Sequence, residues 1–203
     1  MVKGRSDGEE TKKRITATAK ELFIRKGYGA VSMNEVCEAA EVSKGSLYHH
    51  FKSKEELFLQ VIEEDSQRWS LEWERIREGA ATVEEQLYAL AEHYASDFQN
   101  PLLAAQEEFA RSRAITDVVF DRLLRISDNN SQACRSVLRE GMEKGELARG
   151  DLDRSVILVS SMLEGLGKLY YAPDLAKQQD KVREYYRDAV RLLLEGIRAK
   201  ATL

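Results

Sequence analysis

Three times along the chain, a serine or threonine is followed three residues later by a glutamate, at the start of an amphipathic stretch. The pairs are Ser32 with Glu35, Ser53 with Glu56, and Thr82 with Glu85. In this capping box the hydroxyl accepts from the glutamate amide, and the carboxylate accepts from the serine or threonine amide. The 203-residue chain also has only two prolines, too little turn punctuation for a β-sandwich or barrel of this length. The spacing therefore predicts an all-α protein.

Apolar residues at helical spacing place the individual helices. Predicted helices cover 11–26, about two turns after Ser32, 44–50 after Ser43, 54 to about 78, and a segment from Thr82 through Phe98. Further starts are Asn100-Pro101, with the proline at the first helical position, and the N-caps Asp151 and Asp174. A pattern over 116–144 has a polar middle at 127–130. That pattern leaves open whether one helix or two form.

Charge is unevenly distributed although the whole chain is acidic, with a net charge of −4. Residues 1–57 have a net charge of +2 and residues 58–203 of −6. A polyanionic partner is therefore expected at the N-terminal part.

Several other classes of protein are not supported by the composition. No apolar run approaches the ~18 residues that a membrane span needs, and the first ten residues contain no apolar stretch typical of a signal peptide. Cys37 and Cys134 lie in apolar helical patterns, as small buried residues do in the reducing cytoplasm. No histidine pairs with a cysteine at metal-ligand spacing. We expect a cytoplasmic protein with no membrane partner, no metal and no cofactor.

The two short helices at 33–40 and 44–50 form a candidate helix-turn-helix. Gly45 at the second helical position costs ~1 kcal/mol relative to alanine, which is reasonable if this helix end must approach another surface closely. Lys44, Ser46, Tyr48 and His49 could contact phosphates or base edges. The alternative is a solvated helix face with a tolerated glycine. The local pattern alone leaves both interpretations open.

Residues 11–57, and above all SMNEVCEAAEVSKGSLYHHFKSKEEL at 32–57, closely resemble the TetR family of bacterial transcriptional regulators. The resemblance implies an all-helical homodimer that binds double-stranded DNA. It implies a helix-turn-helix DNA-binding domain of three helices at 1–53 and a larger effector-binding and dimerisation domain at 54–203. The second domain matches the family only in length and helix pattern.

The resemblance also implies roles for single residues. The recognition helix that enters the major groove carries Lys44, Gly45, Ser46, Tyr48 and His49. Tyr48, His49 and Lys54 match positions that commonly contact phosphate, and Ser32 can offer its hydroxyl. The chain departs from the family at Glu41, where glycine is usual in the turn, and we expect a local strain of ~1 kcal/mol there. Lys12 and Lys13 could equally be ordinary surface lysines or DNA contacts.

Aromatic residues concentrate after the DNA-binding segment and are candidates for an effector pocket. They are Trp69, Trp73, Tyr88, Tyr94, Phe98 and Phe109. The alternative for each is ordinary core packing. Nearby acidic residues could favour a cationic ligand or form a solvated face: Glu63, Glu64, Asp65, Glu107 and Glu108. The effector could be lipophilic, cationic or an acyl derivative.

The last two helices are the dimer candidates, and together they would form a four-helix bundle across a two-fold axis. The candidate residues are Ser161, Met162, Gly165, Leu166, Tyr186, Val190, Leu193 and Ile197. Burial within one protomer is the alternative for some of them.

Three functions compete as explanations of this sequence. The first is a repressor released from a palindromic operator by a small lipophilic effector. The alternative is a DNA-binding regulator with no small-molecule effector, controlled by a partner or constitutive. An enzyme is not supported, because the sequence shows no paired carboxylates with a matching histidine, no nucleophile–base grouping and no phosphate-binding glycine loop.

Overall fold

The computed structural model describes residues 3–97, 100–112, 116–171 and 178–197, with side chains for all of these except 3–6, 129–130, 170–171 and 197. Every regular element in this part of the chain is helical, which confirms the all-α prediction. The helices are α1 (Lys3–Lys26), α2 (Met33–Ala39), α3 (Lys44–His50), α4 (Lys54–Glu78), α5 (Val83–Asp97), α6 (Leu103–Arg111), α7 (Asp117–Lys144), α8 (Leu152–Leu166), a 3-10 turn (Gly167–Tyr171) and α9 (Gln179–Ile197). None of the helices described is long and apolar enough to cross a bilayer.

The serine, threonine and aspartate caps predicted from the sequence begin their helices. Ser32 Oγ accepts from the Glu35 amide at 3.2 Å, and Ser53 Oγ accepts from the Glu56 amide at 3.2 Å. Asp151 accepts from the Arg154 amide at 3.1 Å. These bonds each satisfy one of the free amides at a helix start.

The carboxylates of the three capping boxes differ in their donors. Glu85 accepts from the Thr82 amide at 3.1 Å, which is the expected return bond. The Glu35 carboxylate accepts from Lys26 Nζ and also interacts with the Ser32 backbone. Glu56 accepts from the Lys52 amide at 2.6 Å.

Two helix starts were predicted wrongly. Helix α1 begins at Lys3 rather than at residue 11, although Ile15 is the first buried residue among its described side chains. Helix α6 begins at Leu103, and its cap residue Leu102 makes no side-chain hydrogen bond. Asn100 lies two residues before the cap position of α6, and its Nδ2 donates to Asp97 Oδ1 at 3.0 Å, at the end of α5. The polar stretch at 127–130 does not break α7, and Asp174 lies outside the described residues.

The chain forms two compact units. The first consists of Met1–Ser66 with Pro101–Ile126. Its core joins α1, α2, α3, the start of α4 and α6 through apolar residues such as Phe23, Leu47 and Phe51. The Phe109 ring from α6 packs at 4.8 Å from Tyr28 and at 5.0 Å from Phe58, centroid to centroid. Helix α6 is therefore part of the same packing unit as the three N-terminal helices.

The second unit consists of Gln67–Asn100 with Ser127–Leu203. Its core contains Trp73, Val137 and Tyr186, among others, and α5, α8 and α9 pack against one another. Helices α4 and α7 each begin in the first unit and end in the second. The predicted boundary between the DNA-binding domain (1–53) and the effector-binding domain (54–203) does not coincide with these packing units. That boundary divides functions and stays a prediction.

Candidate nucleic-acid interface and effector site

Helices α2 and α3 are joined by a tight turn whose geometry normally requires glycine. The Val42 amide donates to the Cys37 carbonyl at 3.1 Å and the Glu41 amide to the Glu38 carbonyl at 3.3 Å, the two bonds of a Schellman motif. Glu41 occupies the left-handed position with φ of 52°, and it is the one non-glycine residue with positive φ in the part of the chain described. The expected strain at Glu41 is thus present, and the turn keeps its usual form.

Helix α3 presents a polar face to solvent and an apolar face to the core of the first unit. Ser43 caps the helix by accepting from the Ser46 amide at 3.1 Å, and Leu47 is fully buried. The predicted recognition residues Lys44, Gly45, Tyr48 and His49 are exposed, and Ser46 is half-buried. Their side chains are therefore free to meet a partner.

Gly45 has no structural reason to be glycine within this chain. A Cβ added at this position would meet only Ser43 Oγ, at 3.9 Å, and its φ is not positive. An exposed helical glycine costs ~1 kcal/mol relative to alanine. The missing side chain is explained if a partner's surface lies against this end of α3.

Lys54 is held by the protein more firmly than the sequence indicated. Its Nζ donates to the Tyr28 carbonyl at 3.0 Å and to the Gly29 carbonyl at 3.3 Å, and it lies 4.4 Å from the centroid of the Tyr28 ring. An ammonium has three N–H donors, so one remains for a phosphate. The exposed Ser32 hydroxyl lies at the start of α2, and its phosphate contact also stays a prediction.

Lysines surround α3, and one of them, Lys52, was not singled out in the sequence. Lys52 is exposed directly after the helix, and its Nζ donates to the Tyr48 carbonyl at 3.1 Å. Lys12 Nζ lies 5.9 Å from the Phe51 ring. Burial, with His49 and Lys12 nearby, lowers the pKa of His50. Lys52 and Lys12 make the surroundings of α3 attractive to a polyanion, whereas the lowered pKa makes His50 less cationic.

In the second unit, three of the predicted effector residues come together around His93. We call Trp69, Trp73, His93 and Tyr94 the ring cluster. The His93 ring stacks on Trp69 with centroids 4.3 Å apart, and Tyr94 meets Trp69 at 5.0 Å. His93 Nε2 donates to the Trp69 carbonyl at 2.9 Å, and burial lowers the pKa of this histidine. No pattern in the sequence predicts a buried histidine that stacks on a tryptophan and donates to its carbonyl.

Two buried polar atoms of the ring cluster have no hydrogen bond of normal geometry to any described residue. They are Trp73 Nε1 and the Tyr94 hydroxyl. The Cys134 thiol lies beside the Tyr94 hydroxyl, but without a hydrogen bond of normal geometry. Glu164 is close enough to raise the pKa of Tyr94, although burial is the main cause. Burial also raises the pKa of Glu164 itself, although much of this residue is solvent-accessible.

The other predicted effector residues lie elsewhere. Tyr88 lines a separate cleft of about 310 Å³ between α5 and α9, with Leu194 and Arg191. Phe109 is buried in the first unit, beside Tyr28, so it is not brought together with the tryptophans. Phe98 lies outside the described residues. Periodicity identified these residues as apolar but did not distinguish their surroundings.

Most of the acidic residues considered for a cationic ligand already have partners within the first unit. Glu63 accepts from Arg122 at 2.6 Å, and Asp65 pairs with Lys20 at 2.7 Å. Glu64 accepts from Gln60 at 3.1 Å, and Glu107 pairs with Arg111 at 2.8 Å. These groups of the first unit are therefore engaged, and the carboxylates whose charge reaches the ring cluster are Glu164, near Tyr94, and Glu72, near His93. The described residues contain no cluster suited to a metal ion.

The predicted dimer residues divide into two groups. Ser161 and Gly165 are exposed on α8, and Met162, Leu166 and Leu193 are half-buried. Tyr186 and Val190 are buried in the protomer's own core, so they are corrected to core residues, and the side chain of Ile197 lies outside the described residues. The sequence missed large apolar residues exposed on the same helices: Ile157 at 63%, Leu158 at 63% and Leu192 at 65%.

Comparison with known proteins agrees with an N-terminal helix-turn-helix followed by a larger helical region. A family model described as bacterial regulatory proteins of the tetR family matches residues 15–61, and one described as the C-terminal region of QacR-like proteins matches residues 65–199. The HTH-type transcriptional regulator QacR of Staphylococcus aureus is 29% identical over 156 residues, covering 76% of this chain and 83% of QacR.

Solved structures share the fold. FadR of Bacillus subtilis, in complex with stearoyl-CoA, has a TM-score of 0.75 and 19% identity, over 91% of this chain and 98% of FadR. A regulator from Saccharomonospora viridis, in complex with choline, has a TM-score of 0.75 and 19% identity, over 95% of this chain and 100% of that one. At this identity the likeness concerns the fold alone.

Together, the helix-turn-helix geometry and the two family models that cover most of the chain lead to one assignment. The chain belongs to the TetR family, with a QacR-like C-terminal region, and is a transcriptional regulator with a DNA-binding helix-turn-helix.

Proposed function

We propose that this regulator, which is not an enzyme, is a cytoplasmic repressor that binds a palindromic operator as a dimer and leaves it when a small lipophilic effector binds. In this proposal residues 1–53 bind DNA, and 54–203 bind the effector and form the dimer. The observation that supports DNA binding most directly is the exposed N-terminal end of α3, where Gly45 has no neighbour that requires glycine.

The DNA contacts divide into two kinds. In this proposal Lys44 and Ser46, in the first turn of α3, read base edges, which specify sequence. Tyr48, His49, Ser32 and Lys54 contact phosphates, which fix orientation but carry little sequence information. Exchanges at Lys44 or Ser46 should therefore change sequence preference by ~1–3 kcal/mol.

The effector part of the proposal depends on the ring cluster. A buried donor without a partner is rare in a native protein and requires an explanation. An apolar ligand with a hydrogen-bond acceptor would satisfy Trp73 Nε1 or the Tyr94 hydroxyl, and Glu164 could attract a positively charged group on the same ligand. The stearoyl-CoA and choline complexes of the two similar folds support both an acyl and a cationic class.

The dimer interface is assigned to the exposed apolar residues of α8 and α9. Ile157, Leu158 and Leu192 would be costly to leave in water, at ~1.5–3 kcal/mol per buried side chain. Ser161 and Gly165 on the same exposed side of α8 allow close helix approach. Two such helices from each protomer would form the predicted four-helix bundle.

Coupling between effector and DNA is assigned to α4. This helix is unbroken from Lys54 to Glu78 and carries Trp69 and Trp73 near its far end. A displacement at one end of a stiff helix moves the other. An effector that favours a spacing of the recognition helices different from that of the operator would then weaken DNA binding.

The test is selection of bound duplexes from a random-sequence library, followed by sedimentation of the complex. The expected product is a palindrome whose half-site centres lie ~34–36 Å apart or a multiple of this, bound by an even number of protomers. A non-palindromic product bound by a monomer, or no enrichment at all, would contradict the proposal. If the operator is found but no small molecule weakens its binding, the regulator without an effector replaces the repressor.

A further inference from the structure

The turn between α1 and α2 is contacted from two directions by charged side chains. Gly27 has φ of 80°, and Tyr28 and Gly29 follow it. The Lys54 ammonium from α4 donates to the carbonyls of Tyr28 and Gly29. The Glu108 carboxylate from α6 lies against Gly27 and Gly29.

The carboxylate occupies the space that side chains at the two glycines would need. A Cβ added at Gly27 would lie 2.5 Å from Glu108 Oε2, and one added at Gly29 would lie 2.5 Å from Oε1. Contact atoms do not normally approach so closely, so the two oxygens can take these positions only because both residues lack a Cβ. Glu108 has no hydrogen-bond or ion-pair partner among the residues described.

The residue next to Glu108 fixes α6 at the same turn. Phe109 is buried, and its ring meets the Tyr28 ring edge-on at 4.8 Å. Tyr28 in turn donates to Glu55 at 3.2 Å and lies under the Lys54 ammonium. The position of α6 and the position of Lys54 therefore both depend on the conformation of this one turn.

We propose that Glu108 is a positioning residue for DNA binding: its carboxylate, packed on Gly27 and Gly29, holds the turn whose carbonyls direct the Lys54 ammonium toward a DNA phosphate. This inference rests on the proposed phosphate contact of Lys54. When the carboxylate is removed or displaced, Lys54 loses its fixed direction. The phosphate contact is then lost, although the fold remains.

Gly29→Ala is the sharpest probe, because Gly29 does not have positive φ and its new methyl group would meet only the carboxylate of Glu108. A carboxylate is the far end of a flexible side chain, so it can move aside without disrupting the core. Gly150→Ala is the matched control, since nothing lies within 4 Å of its added Cβ and its φ is not positive either.

The experiment measures binding of the full-length protein to a 30-base-pair mixed-sequence duplex by fluorescence anisotropy, over a range of salt. Loss of one phosphate contact lowers the salt slope by about one unit and the affinity at 0.1 M salt by about 5- to 10-fold. We expect this loss in Lys54→Ala, Gly29→Ala and Glu108→Ala. Glu108→Gln, which keeps the shape, and Gly150→Ala should keep the wild-type slope, and thermal unfolding checks that each variant is folded.

Two combined variants separate positioning from independent effects. Gly29→Ala/Glu108→Ala and Lys54→Ala/Glu108→Ala should each bind no more weakly than Glu108→Ala alone, because all three residues act through one contact. Additive losses would overturn the inference, as would a wild-type slope in folded Glu108→Ala. If the wild-type protein does not bind the duplex, the proposed function fails first. If it binds and Lys54→Ala keeps the full slope, the Lys54 assignment is wrong.

Discussion

At the scale of single residues, Gly45 and Glu41 both contradict helix and turn preferences, and the structure separates their meanings. Glu41 holds a left-handed position that favours glycine, and its turn bonds are nevertheless normal. Gly45 occupies a helical position that favours alanine, with open space around it. Glu41 costs stability and has no evident partner, whereas Gly45 leaves room for a partner. Only Gly45 therefore indicates function.

Replacing Gly45 with alanine should stabilise the protein and weaken its binding to operator DNA. The gain in the free energy of unfolding is about 1 kcal/mol, since alanine restricts the unfolded chain and suits a helix. The new methyl group meets nothing in the free protein but would separate α3 from the groove. Urea unfolding and operator titration measure the two effects.

Gly196→Ala is the control for this pair of measurements, because it is also helical and open in α9. It should stabilise less, near the helix end, and leave DNA binding unchanged. A Gly45→Ala protein that is more stable and binds the operator as tightly as wild type would show that the glycine is merely tolerated.

At the scale of helices, the sequence predicted most starts and missed the contacts between helices. Ser32, Ser43, Ser53, Thr82 and Asp151 were identified as caps because a cap is a local interaction. Asn100 was assigned wrongly, since α6 begins only at Leu103, with Leu102 at the cap position. Tyr186 and Val190 were assigned to the dimer because periodicity finds an apolar stripe but does not say which neighbour covers it. The same limit explains why His93, Glu108 and Lys52 were not foreseen.

One contact between helices should appear as a pH dependence of stability. Lys144 and Arg77 hold the pKa of Glu140 at about 2, below its ordinary value of 4.5. Arg77 Nη2 donates to Glu140 at 2.7 Å, and Gln86 donates at 3.2 Å. Because the folded pKa is the lower one, this stabilisation is complete above pH 4.5 and is lost as the pH falls through about 2.

Glu140→Gln should therefore destabilise the protein at neutral pH by about 1 kcal/mol, after allowance for solvent screening of a partly exposed group. The difference from wild type should shrink between pH 4.5 and 2. Denaturant unfolding at several pH values measures it. Asp153→Asn is the control and should change little, because Asp153 pairs with Arg135 but its own side chain is 77% exposed. A constant difference across this pH range would mean that Glu140 acts through shape alone.

At the scale of the whole molecule, DNA binding should depend on the exposed apolar residues of α8 and α9. Ile157→Glu adds a charge on a side chain that is 63% exposed in the protomer, so the isolated protomer should stay folded. In a dimer interface the same charge would be desolvated, and the two copies would repel each other across the two-fold axis. We expect sedimentation to show a monomer and operator affinity to fall by more than tenfold. Leu71→Glu is the control, since Leu71 is equally exposed at 63% on α4. If the Ile157→Glu protein is still a dimer, the interface lies elsewhere.

The effector and the operator should weaken each other's binding by the same factor. If both act on one equilibrium between two spacings of the recognition helices, linkage requires reciprocity, typically 5–150-fold. Trp69 and Trp73 provide the signal, because their fluorescence should change when a ligand enters the ring cluster. A ligand found by thermal-shift screening of long-chain acyl compounds and quaternary ammonium compounds is titrated with and without saturating operator duplex. Tyr94→Phe, which removes a hydroxyl that makes no hydrogen bond of normal geometry to the described residues, should fold as well as wild type and bind a hydrogen-bonding ligand less tightly. Equal ligand affinity with and without DNA would contradict release through α4, and tighter binding with DNA would make the ligand a corepressor.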